Sequence, residues 1–347
     1  MAHARAALRD SAAGGLALVA APEPSSGVTE GEVRLAYQLL LSRLPESDYA
    51  IAIHRQLPDV DTLCRTLATS DEGKMLGPLV TVPRRWVAAA VMGGRYLMWI
   101  DLGDRYISFD CLRDNYEPIE TRFVREILKP GDVVVDIGAN LGWYTLLACS
   151  RIGPNGQVHA FEPNPDTAAR FAQTLTLNGL DGQVTLYKCA LDENAGSVTI
   201  AWYAGSNNPG GTSIATDIAP GMTAAVVETR SLDSLGLERL DFIKIDVEGA
   251  ELRVFRGGAA TLRRCRPVIL SELHPGQLQH VSGSSAEVFF AELSAIGYHA
   301  HIVGSRRSGE RLTAFPEDWP YPLMNLALVP IEYPPERLLR AFAAARG

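Results

Sequence analysis

No apolar run in this chain is long enough to cross a bilayer, which takes about 20 consecutive apolar residues. Cysteine is scarce: five in 347 residues, none in a Cys-x-x-Cys pair. That leaves no zinc-ribbon pattern, and the odd count reads as free or buried thiols in a reducing cytoplasm. Blocks of like charge are also missing. The formal net charge of -8 is spread among interspersed acids and bases, which argues against nucleic acid as a partner. Internal repeats are absent. The N-terminal "MAHARAALRDSAAGGLALVAAPEPSS" has only a short Ala/Gly-rich apolar part behind Asp10, so residues 1–28 read as a disordered leader rather than an export signal. What the chain does have is apolar material for a sizeable core: 47% of residues are hydrophobic and 21% charged.

Residues 29–80 read as a small helical region. Val33, Tyr37, Leu40 and Leu44 recur at helical spacing, Pro45 ends the pattern, and "DVDTLCRTLATSDEG" offers a second short helix. A unit of that size buries little alone, so a protein or oligomer contact is its expected role. "YQLLLSR…LATSDEGK" resembles a small helical domain of bacterial surface-polysaccharide proteins. Residues 81–120 form a connection: "RYLMWIDLGDRYISFD" suggests a hairpin turning at Gly103-Asp104, and "NYEPIETRFVREILKPGD" a helix closed by Pro130-Gly131. From there to residue 331, strands expected over 133–137, 157–161, 184–190, 241–247, 267–273, 298–303 and 324–330 alternate with helices near 143–152, 165–178, 250–264 and 284–296. Such alternation implies an α/β fold, a mostly parallel sheet with helices on both faces. An inserted hairpin over 197–230 with the tip "GSNNPGGTS" breaks the rhythm, and 332–347 reads as a helical tail.

Five stretches carry chemistry. "VVVDIGANLGWYTLLA" is a strand, an Asp and a glycine turn opening a helix. A dinucleotide turn would read Gly-x-Gly-x-x-Gly; here Asp136 stands at the mouth and Asn140 lies between Gly138 and Gly142. An Asp there repels phosphate and suits a cationic, phosphate-free ligand such as S-adenosylmethionine. In "HAFEPNP", Glu162 ends the next strand, where it can accept from ribose hydroxyls, with Pro163 behind it. Ala190 and Leu191 of "LYKCALDENAG" can flank an adenine. "DFIKIDVEGAE" places Lys244, Asp246 and Glu248 at the carboxyl end of a strand, on one side by strand alternation. "VILSELHPG" adds Glu272 and His274, the latter a candidate general base or metal ligand.

Together, "LKPGDVVVDIGANLGWYTLLA", "HAFEPNP", "IKIDVEGAE", "ELHP" and "NLALVP" resemble the FkbM family of S-adenosylmethionine-dependent methyltransferases, over about residues 120–330. The resemblance implies a class I methyltransferase sheet of seven strands, the last antiparallel, in a domain spanning 121–331. It also implies O-methylation of a hydroxyl on a sugar, glycan or secondary metabolite. Carried onto this sequence, it puts Asp136, Gly138, Asn140 and Gly142 at the methionine part of the cofactor and Glu162 at the ribose.

The expected mechanism is in-line displacement, with His274 as base and Asp246, Glu248 and Lys244 as its catalytic neighbours. The alternative is a magnesium or manganese ion on Asp246, Glu248 and His274. Asn207, Asn208, Thr212 and Ser213 of the insert are expected to meet the acceptor. Two other readings stay open: a nicotinamide-dependent oxidoreductase, against which Asn140 and Asp136 speak, and a non-catalytic binding module.

Overall fold

The computed structural model describes residues 27–41, 44–72, 86–104, 107–203, 211–215 and 218–346. It divides into two compact units, Met1–Pro83 and Arg84–Gly347. The first holds α1 (Glu30–Leu41), α2 (Asp48–His54) and α3 (Val60–Thr69). α1 opens with a capping box: Thr29 Oγ1 accepts from Glu32 N, and Glu32 Oε2 accepts from Thr29 N at 2.7 Å. Val33 and Tyr37 are buried with Ile51, Leu63 and Leu67 in a small core. Leu44 lies past the end of α1 and is exposed. The α2 turn, started by Ser47 accepting from Ala50 N, was not expected from the apolar spacing.

The second unit opens with the hairpin β1 (Trp86–Val91) and β2 (Tyr96–Asp101). Its turn is at Met92–Arg95 rather than at Gly103-Asp104, because Gly93 and Gly94 take left-handed backbone there (φ 66° and 81°). Asp104 instead starts α4 (Ile107–Leu112), its carboxylate accepting from Ile107 N and Ser108 N. There follow α5 (Pro118–Ile127), β3 (Val133–Ile137), α6 (Trp143–Ile152), β4 (Gln157–Phe161), α7 (Pro165–Asn178) and β5 (Val184–Tyr187). β6 (Ala190–Leu191), ahead of the insert, joins the insert's β7 (Gly196–Trp202), β8 (Ser213–Ile214) and β9 (Thr223–Arg230) in a small separate sheet of order β6-β9-β7-β8. Then come β10 (Phe242–Ile245), α8 (Glu251–Gly257), α9 (Ala259–Cys265), β11 (Val268–Leu273), α10 (Pro275–Ser282), α11 (Ala286–Ala295), β12 (Tyr298–Val303), β13 (Arg311–Leu312), β14 (Met324–Pro330) and α12 (Pro335–Arg346).

The main sheet runs β13-β12-β14-β11-β10-β3-β4-β5. β11, β10, β3, β4 and β5 are mutually parallel, and β14 is antiparallel to both its neighbours. Seven strands were expected; the eighth is β13, two residues long, at the edge. Alternate residues serve opposite faces. Val134, Phe242 and Leu270 pack with α5, α6, α7 and α12, whereas Val135, Ile243 and Ile269 pack with α8, α10 and α11. With both faces covered, the central strands are apolar throughout until their carboxyl ends.

The single helix expected over 250–264 is two. Asp233 causes the break: its carboxylate accepts from Ala260 N and Thr261 N, starting α9 afresh. The unexpected α10 begins at His274-Pro275, a cap and first-turn proline that the sequence did carry. α12 packs on α5 through Phe342, whose ring lies 5.2 Å from that of Phe123, and Arg122 donates to Ala345 O at 2.9 Å. Phe342→Ala should therefore cost about 3–5 kcal/mol. Urea unfolding checks this, and a loss under about 1 kcal/mol would mean that α12 is not part of the folded core.

Candidate active site

A cavity of about 450 Å³ opens at the carboxyl ends of β3, β10 and β11. This is where the strand order reverses: β4 and β5 continue to one side of β3, and the chain then returns to the other side at β10. The glycine turn after β3 forms one wall. A Cβ on Gly138 would lie 1.9 Å from the Asp246 carbonyl oxygen, so only glycine lets β3 and β10 converge here. Gly142 caps α6 and does not line the cavity; a Cβ there would lie 2.2 Å from the Phe171 ring. Its role is packing. Asn140, at φ 51°, faces the cavity. Glu162 Oε2 accepts from Asn140 N and Oε1 from Asn164 N, both at 2.8 Å. Each oxygen keeps a further lone pair for a ligand hydroxyl. Pro163, Ala190 and Leu191 continue this wall, and Thr212 and Ser213 reach it from the insert. Thr212 Oγ1 accepts from Asn164 Nδ2 at 3.1 Å. Asn207 and Asn208 lie outside the described residues.

Asp136 is not at the mouth. It is 1% exposed beneath the first turn of α6, where Thr145 Oγ1 donates to it at 2.6 Å. The reason is register: β3 and β10 pair Asp136 with Lys244, so both side chains point to the same, covered face. Lys244 is 4% exposed and lines the cavity floor. Its Nζ lies 3.3 Å from Asp246 Oδ2 and 5.2 Å from the centre of the Tyr144 ring. Tyr144 Oη in turn donates to Glu117 Oε2. Glu248 holds a left-handed backbone (φ 53°), and its Oε2 accepts from Gln277 Nε2 at 2.6 Å. Glu251 fixes that loop by accepting from Val247 N and Gly249 N.

His274 is placed differently from the expectation. Its Nδ1 caps α10 by accepting from Gln277 N at 3.2 Å, and it is not among the residues lining the cavity. The proposed metal set is likewise not assembled. Asp246 pairs with Lys244, Glu248 with Gln277, and His274 with a backbone amide. Among the described residues no three His, Cys, Asp or Glu side chains are grouped to hold a metal ion. The sequence reading missed Tyr116, Glu117 and Tyr144, all of which line the cavity. Tyr144 lies two residues after Gly142 of the glycine turn, a usable signal; Glu117 is brought in only by the packing of α5.

Burial decides the electrostatics. It raises Glu117 and Glu162 to about 7 and Asp136 to about 6, and it raises Glu272 further with the help of Asp246. For Lys244 burial acts downward, but Asp246, Glu117, Glu272 and Asp136 outweigh it and hold the ammonium above its ordinary value. Glu251, away from the cavity, is also raised to about 7 by burial. These carboxyls hold protons in the folded chain that the unfolded chain releases above about 4.5. Stability of the ligand-free protein should therefore fall as pH rises from about 4.5 through about 7. Chemical denaturation between pH 5 and pH 8 measures this; stability rising across that window would contradict the burial of these groups.

The sequence profile of the methyltransferase FkbM domain matches residues 136–300. Methyltransferase sdnD of Sordaria araneosa is 29% identical over 162 residues, 38% of this chain and 61% of that protein. The 2-O-methyltransferase NoeI of Sinorhizobium fredii is 28% identical over 184 residues, 46% of this chain and 72% of that protein. The chain thus spans about three fifths of the length of the first relative. The crystal structure of methyltransferase FkbM from Methylobacillus flagellatus aligns with a TM-score of 0.37 at 15% identity, over 60% of this chain and 50% of that one. Residues 136–300, the stretch similar to the methyltransferase FkbM domain, lie on the mostly parallel α/β sheet and supply most of the cavity wall.

Proposed function

We propose that this chain is an S-adenosylmethionine-dependent O-methyltransferase whose acceptor is a hydroxyl of a sugar, glycan or secondary metabolite. One observation carries the reading: a single cavity joins the Gly138–Asn140 turn, the Glu162 carboxylate and the Lys244–Asp246 pair. The residues suit the cofactor. Glu162 has lone pairs left for two ribose hydroxyls, Ala190 and Leu191 offer apolar cover for an adenine, and the carboxylates of the cavity favour a sulfonium and an ammonium. A nicotinamide dinucleotide fits less well. Among the described lining residues Lys244 is the one cation, it is already paired, and a pyrophosphate would meet carboxylates. The name of NoeI, a 2-O-methyltransferase, supports a hydroxyl as the acceptor. The cytoplasm suits five cysteines that form no disulfide among the described residues.

When bound, the cofactor supplies a methyl group on a positive sulfur with a good leaving group already attached. The protein's part is to place the acceptor oxygen in line and take its proton. Asp246 is the group on the cavity floor placed for that proton. Lys244, paired with it at 3.3 Å, offers a second N–H to the oxygen as negative charge develops. Tyr144 and Glu117 hold the Lys244 ammonium from the other side. Since His274 spends Nδ1 on its helix cap, it acts on structure rather than on the proton.

Calorimetry should show S-adenosylmethionine binding in preference to NAD, and Glu162→Ala weakening it at least about tenfold, the loss of two hydrogen bonds to hydroxyls. Tighter binding of NAD would overturn the reading. Radiolabelled methyl transfer into a surface-glycan extract tests turnover and separates an enzyme from a non-catalytic module. There Asp246→Asn should lower the rate about 10²–10⁴-fold while cofactor affinity stays within about threefold. His274→Ala should keep turnover within about threefold and lose about 1 kcal/mol of stability with its cap. The reverse pattern would restore His274 as the base.

A further inference from the structure

The end of the cavity away from Glu162 is built partly by residues that precede the matched domain. Tyr116 and Glu117, on the approach to α5, line it together with Tyr144, Lys244, Asp246 and Glu272. This is where an acceptor must sit, because the glycine turn and Glu162 occupy the other end. Two features of this end constrain what enters.

The first is the state of Lys244. Its side chain is 5% exposed, and its ammonium has three N–H donors, of which one is directed to Asp246 at 3.3 Å. An ammonium this buried with donors to spare, on the floor of a cavity, is placed for a ligand oxygen. The second is the balance of charge around it. Asp246, Glu117, Glu272 and Asp136 all interact with that one ammonium. Among the described residues no other Lys or Arg lines the cavity. An incoming carboxylate or phosphate would gain one cation already paired with Asp246, at a site where burial already disfavours negative charge enough to raise Glu117 and Glu272. A neutral hydroxyl gains from both: it accepts from Lys244 and donates to a carboxylate such as Glu117.

We propose that the acceptor is a polyhydroxylated molecule with no negative charge beside its reacting hydroxyl, a neutral or amino sugar rather than a uronic acid or a sugar phosphate. Glu117, supplied from outside the matched domain, is the residue that sets this preference. The inference rests on the methyl-transfer reading for its statement of which end is the acceptor's.

Saturation-transfer NMR on the full chain, at low ionic strength, tests it with four probes: methyl glucoside, glucosamine, glucuronate and glucose 6-phosphate. The spectra are taken with and without saturating S-adenosylhomocysteine. Methyl glucoside and glucosamine should give signals at least about fivefold stronger than the two anions. Equal signals, stronger signals from either anion, or no signal from any probe would overturn the proposal. Glu117→Gln should raise the glucuronate signal relative to methyl glucoside at least about threefold. An unchanged ratio in a folded variant removes Glu117 from the role, and the wild-type comparison decides the charge preference even if the variant does not fold. Calorimetry with S-adenosylhomocysteine stands apart: failure to bind it sinks the methyl-transfer reading, while the order of the four sugars is still read on the protein alone.

Discussion

A charged amine buried on a central strand is the constraint around which the second unit is arranged. Lys244 sits on β10 with both flanking residues, Ile243 and Ile245, fully buried. An unpaired ammonium there would cost several kcal/mol in lost hydration. The fold offsets that cost with carboxylates drawn from separate places: Asp136 across the strand pair, Asp246 at the strand end, Glu272 from β11 and Glu117 from ahead of α5. Asp136 is fully buried and the other three are partly so, so each gains from the ammonium as it gains from them. The result is a rigid polar floor under a cavity whose upper wall is the glycine turn.

Backbone geometry brings floor and wall together. β3 and β10 converge until a Cβ on Gly138 would lie 1.9 Å from the Asp246 carbonyl oxygen, which excludes any side chain there. The loop after Asp246 turns back through left-handed Glu248 and Gly249, and Glu251 holds it by two backbone amides. Glu248 is strained for a residue with a side chain, and its carboxylate is fixed by Gln277 of α10. The side chains facing the cavity are thus set by neighbours that do not themselves face it, which gives the site its preorganisation.

Much of this architecture was legible beforehand. β3, β4, β12, β14, α6 and α7 fall on the ranges that periodicity and punctuation indicated, because each buries a complete face and ends at a glycine, proline or capping residue. That Glu162, Lys244, Asp246 and Glu248 stand together on one cavity was foreshadowed by their places at the ends of apolar strands. The hairpin turn was less legible, since two Gly-containing pairs competed and only strand register chose between them. His274 looked chemical but served as a cap, a use the following Pro275 already hinted at.

Local sequence alone determined the alternating strands and helices, the glycine turn and the identity of the charged groups at the strand ends, because these depend on contacts within a few residues. Tertiary structure decided which way those groups face. Register set Asp136 beside Lys244 beneath α6, packing of α5 brought Glu117 to Lys244, and the start of α10 engaged His274 as its cap. Each depends on pairing between residues distant in sequence, and side-chain direction in a sheet inverts with a shift of one residue. No reading of residue types along the chain contains that information.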